Sequence, residues 1–297
     1  MRRSSVLLLG ALAAGSLTLS ACGSDSLSND GTTPSASVTA EADAALADKV
    51  PADLKEKGTL KVGTDSSYAP NEFLDPDGKT IVGFDIDLFT AVAAKLGLKA
   101  EYETAKFDSI ITGVESGKYD IGVSSFTIND ERKKQVNMIS YYSAGTSWAG
   151  APGNPKDIDP TKPCGLKVAV QQGTVQQEED LPPKEKACKA AGNPIDVQVY
   201  EGQDEATAAV AAGKADAMLA DSPIVAYAAK ESDGKVESVG DIYDAAPYGY
   251  VVPKEQTELA DLLAEALTSL KEDGGYEEAL TNWGVEDGAI DEFAVNP

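Results

Sequence analysis

The 297-residue chain contains no histidine. That excludes nucleophile triads and general-base chemistry built on imidazole. It also leaves the few cysteines, three in all, without the partner a mixed metal site would use. Cations are scarce as well: 25 Lys and Arg stand against 49 Asp and Glu, for a formal net charge of −24. So acidic a surface disfavours nucleic acid and anionic membrane faces. Long apolar runs are missing too. Beyond the first 22 residues no segment is apolar enough to span a bilayer.

What is present begins with an export signal. Arg2-Arg3 form a basic start, Val6 to Ala14 an apolar core too short to cross a membrane, and Leu19-Ser-Ala-Cys22 the end. Residues 1–21 therefore read as a signal peptide, and their removal takes only Arg2 and Arg3, moving the charge from −24 to −26. Leu19-Ser-Ala-Cys22 resembles the lipobox of bacterial lipoproteins, in which the cysteine becomes a lipidated N-terminus. That resemblance implies anchoring to the outer face of the cell membrane through Cys22. The alternative is an ordinary secretory signal with an incidental cysteine. Residues 22–50 are rich in Ser, Thr, Ala, Asp and Gly and read as a flexible tether. Outside the cell, Cys164 and Cys188 form an even pair, which favours a disulfide over two separate buried thiols.

The remaining residues read as α/β. Thr59–Thr64, Lys99–Thr104 and Tyr119–Ser124 are predicted strands; Asp85–Leu96 and Asp108–Ser116 are predicted helices. Alternation of this kind argues for parallel βαβ units. The pattern then repeats. Phe107 to Ser125 reads FDSIITGVESGKYDIGVSS and Gln203 to Asp221 reads QDEATAAVAAGKADAMLAD, 96 residues later. Gly117 matches Gly213, Asp120 matches Asp216, and Ser125 matches Asp221. Leu60-Lys-Val62 and Leu166-Lys-Val168 open the two halves alike. Two similar lobes follow: residues 51–148 and 248–297 in the first, 149–247 in the second. The chain crosses between them near Gly145–Pro152 and Ala245–Val252. The leucine stripe from Leu259 to Leu270 is a core helix.

The stretch from Asp120 to Arg132 carries the strongest chemical signal. A short strand stops at Ser124-Ser125, Thr127 adds a hydroxyl, and a helix opens with Arg132. Open α/β sheets bind ligands at the carboxyl ends of their strands, and a guanidinium is a forked partner for a carboxylate. With Ser125 and Asp221 ending equivalent strands at one cleft, hydroxyl, guanidinium and carboxylate converge in a way that suits a zwitterion. The plainer readings are a solvated helix arginine and an Asp221 that caps the helix begun by Ser222-Pro223.

At these residues the chain resembles the extracellular solute-binding proteins of ABC importers for polar amino acids. The matching segments are Tyr68-Ala-Pro70, Val82-Gly-Phe-Asp-Ile-Asp-Leu88, Phe107-Asp-Ser109, Ser124-Ser-Phe-Thr127 with Arg132, Gln172-Gly-Thr174 and Ala220-Asp221. They span roughly residues 55 to 285. The resemblance implies two Rossmann-like lobes of periplasmic-binding-protein type joined by two hinge strands, a monomer without cofactor or metal, and an ABC permease as partner. It implies that Arg132, the Thr127 backbone and the Thr174-Val175 backbone after Gly173 hold an α-carboxylate. Asp221, Ser125 and Thr127 then meet the α-ammonium, with Ser124 beside them. Tyr68 and Phe107 match the aromatics that sandwich the ligand side chain; ordinary core packing is their alternative. Val175 departs from the family's usual small hydroxyl residue, but only its N–H is needed. Asn71 departs from the family's frequent aromatic, which shifts attention to Phe73.

The resemblance also implies that Asp65, after the first strand, reaches the far end of the ligand side chain, and that Gln171, its counterpart in the repeat, faces the cleft mouth. A carboxylate and an amide there favour arginine, lysine, ornithine or glutamine over acidic amino acids. The alternative for Asp65 is a local turn cap in Asp-Ser-Ser. Two rival functions remain open at this point: an enzyme of dehydratase type on the same scaffold, and a sensor or adhesion lipoprotein.

Overall fold

The structure is a computed structural model and describes residues 38–297. The expected signal peptide and Cys22 lie outside the described residues. Two short helices, α1 (Ala44–Lys49) and α2 (Ala52–Lys57), precede strand β1 (Thr59–Thr64). A small antiparallel sheet follows, made of β2 (Ser67–Tyr68), β3 (Glu72–Leu74) and β4 (Ile81–Val82). Next come α3 (Phe84–Lys95), β5 (Lys99–Thr104), α4 (Phe107–Glu115), β6 (Ile121–Gly122), α5 (Asp130–Gln135) and the long β7 (Val136–Gly150). The second half runs β8 (Lys167–Gln171), α6 (Leu181–Ala190), β9 (Asp196–Tyr200), α7 (Gln203–Ala211), β10 (Ala217–Asp221) and α8 (Ser222–Glu231). The long β11 (Glu237–Pro253) then leads to α9 (Thr257–Glu272) and α10 (Gly275–Trp283).

Eight strands join one sheet in the order β5-β1-β6-β11-β7-β10-β8-β9. β1 lies parallel between β5 and β6, and β8 lies parallel between β9 and β10. The two halves thus have the same strand order, mirrored about β7 and β11. Those two strands run antiparallel to each other through the centre. β11 reaches β6 at Val251, while β7 reaches β10 over Thr146–Gly150. They are the two connections the sequence pattern asks for. The lobe borders at 148 and 247 fall inside them, and we keep those borders as the proposed division.

The internal repeat has an atomic cause. Each helix, α4 and α7, ends on a glycine in the left-handed conformation, Gly117 at φ 74° and Gly213 at φ 68°. The next lysine turns its N–H back onto the helix, to Gly113 O and to Ala209 O. The aspartate two residues further accepts from the backbone N–H of the opening strand: Asp120 from Lys61 at 2.7 Å, Asp216 from Lys167 at 2.9 Å. Lys61 and Lys167 are the matched central residues of Leu-Lys-Val in the two halves. The Gly-Lys-x-Asp signature is therefore a helix stop followed by a strand-to-strand clamp.

The first core is made by β1, α3, α9 and α10. Leu259, Leu262, Leu263, Ala266, Leu267 and Leu270 are all buried in it, as the leucine stripe requires. Each such leucine contributes roughly 1.5–3 kcal/mol of burial. The last helices thus return to lobe one. The second half has smaller cores on the two faces of β8 and β10. Cys164 and Cys188 are bonded there, with Cα atoms 5.0 Å apart.

Two expectations change. The tether cannot extend to residue 50, because Val38, Leu46 and Val50 are buried in the lobe-one core. Asp43 caps α1 by accepting from Ala45 and Leu46 N–H, and its own N–H donates to Lys95 O. The segment looks polar in one dimension because only one side of so short a helix needs to be apolar. The third strand is also shorter than Tyr119–Ser124: only Ile121–Gly122 pair regularly, since Ser125 turns the chain at φ 51°.

Candidate binding site

The strands β1, β6, β8 and β10 all end at the line where the two halves meet. Their C-terminal residues, with the loops that follow, surround a cavity lined by Tyr68, Phe107, Ser125, Thr127, Arg132, Thr174, Val175, Gln176 and Asp221. Larger hollows of about 450 and 330 Å³ lie behind the hinge and beside α7 and α8. The charged residues that line those hollows are exposed, whereas Arg132 and Asp221 are buried.

Arg132 is placed by a short capped helix. Asn129 Oδ1 accepts from Arg132 N–H at 2.9 Å and fixes the start of α5. The guanidinium then points back across the cleft. Its Nη1 donates to Thr127 O at 2.8 Å and its Nη2 to Gly173 O in the other lobe at 3.0 Å. It lies 5.4 Å from the ring centre of Phe107 and 5.6 Å from that of Phe126, and those two rings are stacked 4.7 Å apart. Burial works against its charge, while Glu178, Asp221 and Glu179 work for it. Arg132 is therefore a buried cation on an aromatic platform, and the solvated-arginine alternative falls.

Asp221 precedes α8 but does not cap it with its side chain. Its carboxylate accepts from Tyr68 Oη, Tyr248 Oη and Gln176 Nε2, at 2.8, 2.8 and 2.7 Å. Burial raises its pKa, and the three donors pull it back. Tyr68 is thus a polar partner of Asp221 across the cleft as well as an aromatic wall.

Gly173, at φ 77°, makes the turn before a π-helical turn, Gln176–Asp180, that runs on into α6. A Cβ at Gly173 would lie 2.9 Å from Asp108 Cβ of the other lobe, so the close approach requires glycine. Thr174 and Val175 stand at the amino end of this helix, where backbone N–H groups favour an anion.

Asp65 and Gln171 meet each other. Gln171 Nε2 donates to Asp65 Oδ2 at 2.8 Å, joining the two lobes. Asp65 also accepts from Ser67 and Phe107 N–H. It caps a local turn and faces Gln171, and neither residue lines the cavity around Arg132 and Asp221. Burial raises its pKa to about 6, against the hydrogen bonds from Ser67 and Phe107. Gln171 Oε1 is buried without a hydrogen-bond partner among the described residues.

The two serines differ from expectation. Ser124 is not at the cavity; its hydroxyl accepts from Asp65 N–H and donates to Glu72. Ser125 lines the cavity, yet its hydroxyl is turned back to Glu72, Asp85 and Asn71. The strand ends too early to aim them outward. Phe73 packs on Tyr227 and Trp283, away from the cavity. Sequence reasoning missed Phe126, Gln176 and Tyr248. Phe126 was visible inside Ser-Ser-Phe-Thr, and Gln176 directly follows the Gly-Thr-Val turn. Tyr248 lies in a hinge strand with no local signal.

Comparison with known proteins places the chain in a family. Residues 60–286 match the model of the bacterial extracellular solute-binding proteins, family 3. The arginine-binding protein ArgT of Corynebacterium glutamicum is 40% identical over 248 residues, 83% of this chain and 81% of that protein. The crystal structure of an ancestral amino-acid-binding protein, a precursor of cyclohexadienyl dehydratase, aligns with TM-score 0.68 and 36% identity over 78% of this chain and 97% of its own. An ancestral arginine-binding protein bound to arginine aligns with TM-score 0.67 and 35% identity, over 76% and 98%. The chain belongs to the bacterial extracellular solute-binding proteins, family 3.

Proposed function

We propose that this chain captures an L-α-amino acid with a cationic or amide side chain outside the membrane and delivers it to an ABC transporter permease. The observation that carries the reading is the opposition of Arg132 and Asp221 across one cavity. Arg132 with the Thr174-Val175 backbone suits a carboxylate; Asp221 with Thr127 suits an ammonium. Tyr68, Phe107 and Ser125 wall the space between, and Gly173 sets the turn. Asp65, which already accepts from Ser67 and Phe107 N–H and from Gln171 Nε2, and Gln171 Oε1 beside it are acceptors that suit an amide or guanidinium side chain. Membership in a family of solute-binding proteins makes the chain a binding protein rather than an enzyme. Arginine binding in the ArgT relative supports the cationic preference. The Leu19-Ser-Ala-Cys22 sequence supports lipid anchoring at Cys22 to the outer face of the cell membrane; the folded part acts as a monomer.

Calorimetric titration of the mature protein with the twenty amino acids and ornithine tests the reading. Arginine, lysine, ornithine or glutamine should bind best, and Asp65→Asn should weaken the cationic ligands selectively. Preferential binding of glutamate, or of none of the twenty-one, sinks it.

A further inference from the structure

Directly behind Ser124 and Ser125 lie two carboxyl groups, Glu72 of β3 and Asp85 of α3. Both residues are completely buried. Among the described residues, no lysine or arginine forms an ion pair with either. The titratable groups that face them are Asp65, Tyr141, Tyr142, Tyr102, Tyr250 and Tyr68, none of them cationic. Two uncompensated negative charges side by side in such a place are not sustainable.

The donors reveal how the conflict is resolved. Asp85 Oδ2 accepts from Ser125 N–H at 3.0 Å, Tyr141 Oη at 2.7 Å and Ser125 Oγ at 3.2 Å. Asp85 also sits in the first turn of a twelve-residue helix, where the helix dipole favours a negative charge. Glu72 receives only hydroxyls, from Ser124 at 2.9 Å and Ser125 at 3.2 Å. Ser125 Oγ has one proton and stands equally far from both acids, so it cannot serve both. Ser125 Oγ brings the two acids together, 3.2 Å from Glu72 Oε2 and 3.2 Å from Asp85 Oδ2, while Asp85 Oδ1 is buried without a hydrogen-bond partner among the described residues. The backbone enforces this proximity. Phe84 and Asp85 N–H donate to Pro70 O and Asn71 O, and a Cβ at Gly83 would lie 2.0 Å from Asn71 O.

We propose that Glu72 and Asp85 share one proton, carried on Glu72, and that this carboxylic acid–carboxylate pair is a positioning device for the binding loop. Through Ser124 it fixes the N–H of Asp65. Through Ser125 it holds a non-glycine residue in the left-handed conformation and so directs the chain to Thr127 and Arg132. Burial pushes the Glu72 acid upward well above the usual carboxylate range and that of Asp85 to about 6. A folded state that binds more protons than the unfolded one loses stability as pH rises. Loss of the shared proton would set the two acids against each other and release the serine turn.

The effect on ligand rests on the amino-acid reading above; the proton itself does not. Infrared spectra of the ligand-free protein at pH 8 should show the C=O stretch of a protonated carboxyl group, shifted in D2O and absent in Glu72→Gln. In thermal melts from pH 6 to 9, Glu72→Gln should gain on wild type with each step upward. With L-arginine as the probe, the affinity ratio of Glu72→Gln to wild type should rise by about ten-fold for each unit of pH above the pair's pKa. A wild-type spectrum without the band overturns the proposal, whether or not the variant folds. So do parallel melting profiles. Failure of L-arginine to bind, with band and melts as expected, strikes the transport reading alone.

Discussion

At the residue scale, the site is built from side chains that each satisfy two demands. Arg132 braces Thr127 O and Gly173 O, and among the described residues it is the one cation lining the cavity. Arg132→Ala should weaken binding of the best amino acid by about 2–5 kcal/mol, because a buried carboxylate loses its partner. Arg132→Lys should recover only part of this, since an ammonium cannot reproduce the fork. Titration calorimetry decides; affinity within three-fold of wild type for the alanine variant would show that the carboxylate is held elsewhere. The sequence pointed to Arg132 and Asp221 because both follow strand ends in matched repeats. It misplaced the hydroxyls of Ser124 and Ser125, whose direction depends on the positive φ of Ser125 and on the buried acids behind them.

At the element scale, the second half holds less apolar mass than the first and depends more on its crosslink. The Cys164–Cys188 bond ties the loop before β8 to α6, closing 24 residues of sequence. In the chain-entropy view a loop of this size contributes on the order of 3 kcal/mol. Reduction, or Cys164→Ser with Cys188→Ser, should lower the melting temperature by roughly 6–12 °C, from about 2–4 °C per kcal/mol for a domain of this size. Calorimetric melts with and without reductant check this, and coincident melts would count against a stabilising bond. The strands Thr59–Thr64 and Lys99–Thr104 and the two helices after them were legible to within a residue, because alternation and the 3.6-residue period are local, whereas the third strand is two residues shorter at each end than its pattern suggests. The buried start of the fold at Val38 was not, because its apolar partners on α9 lie more than two hundred residues away.

At the scale of the whole molecule, two halves meet along a seam held by small polar bonds. Tyr68 bonds Asp221, Gln171 bonds Asp65, Arg132 bonds Gly173, Asn129 bonds Glu179 and Gln172 bonds Asp108. Among the described residues, β7 and β11 alone connect the halves covalently within the sheet. Polar contacts of this kind exchange readily with water, so two long strands provide a hinge about which the seam can open. Small-angle scattering should report a larger radius of gyration without ligand than at saturation with L-arginine. Identical profiles, with binding confirmed by calorimetry, would mean a cleft that does not close on its ligand.

The α/β class, the duplication, the leucine core of α9 and the pairing of Arg132 with Asp221 can all be read along the chain. All of these are carried by local periodicity or by repeated spacing. Tertiary structure alone decided that Tyr248 of the hinge and Gln176 after the turn both serve Asp221, that Phe126 backs Arg132, and that Glu72 and Asp85 lie together. These depend on which residues from distant segments become neighbours. Hydrogen bonds act only at about 3 Å, and nothing in the linear order of residues records which groups come that close.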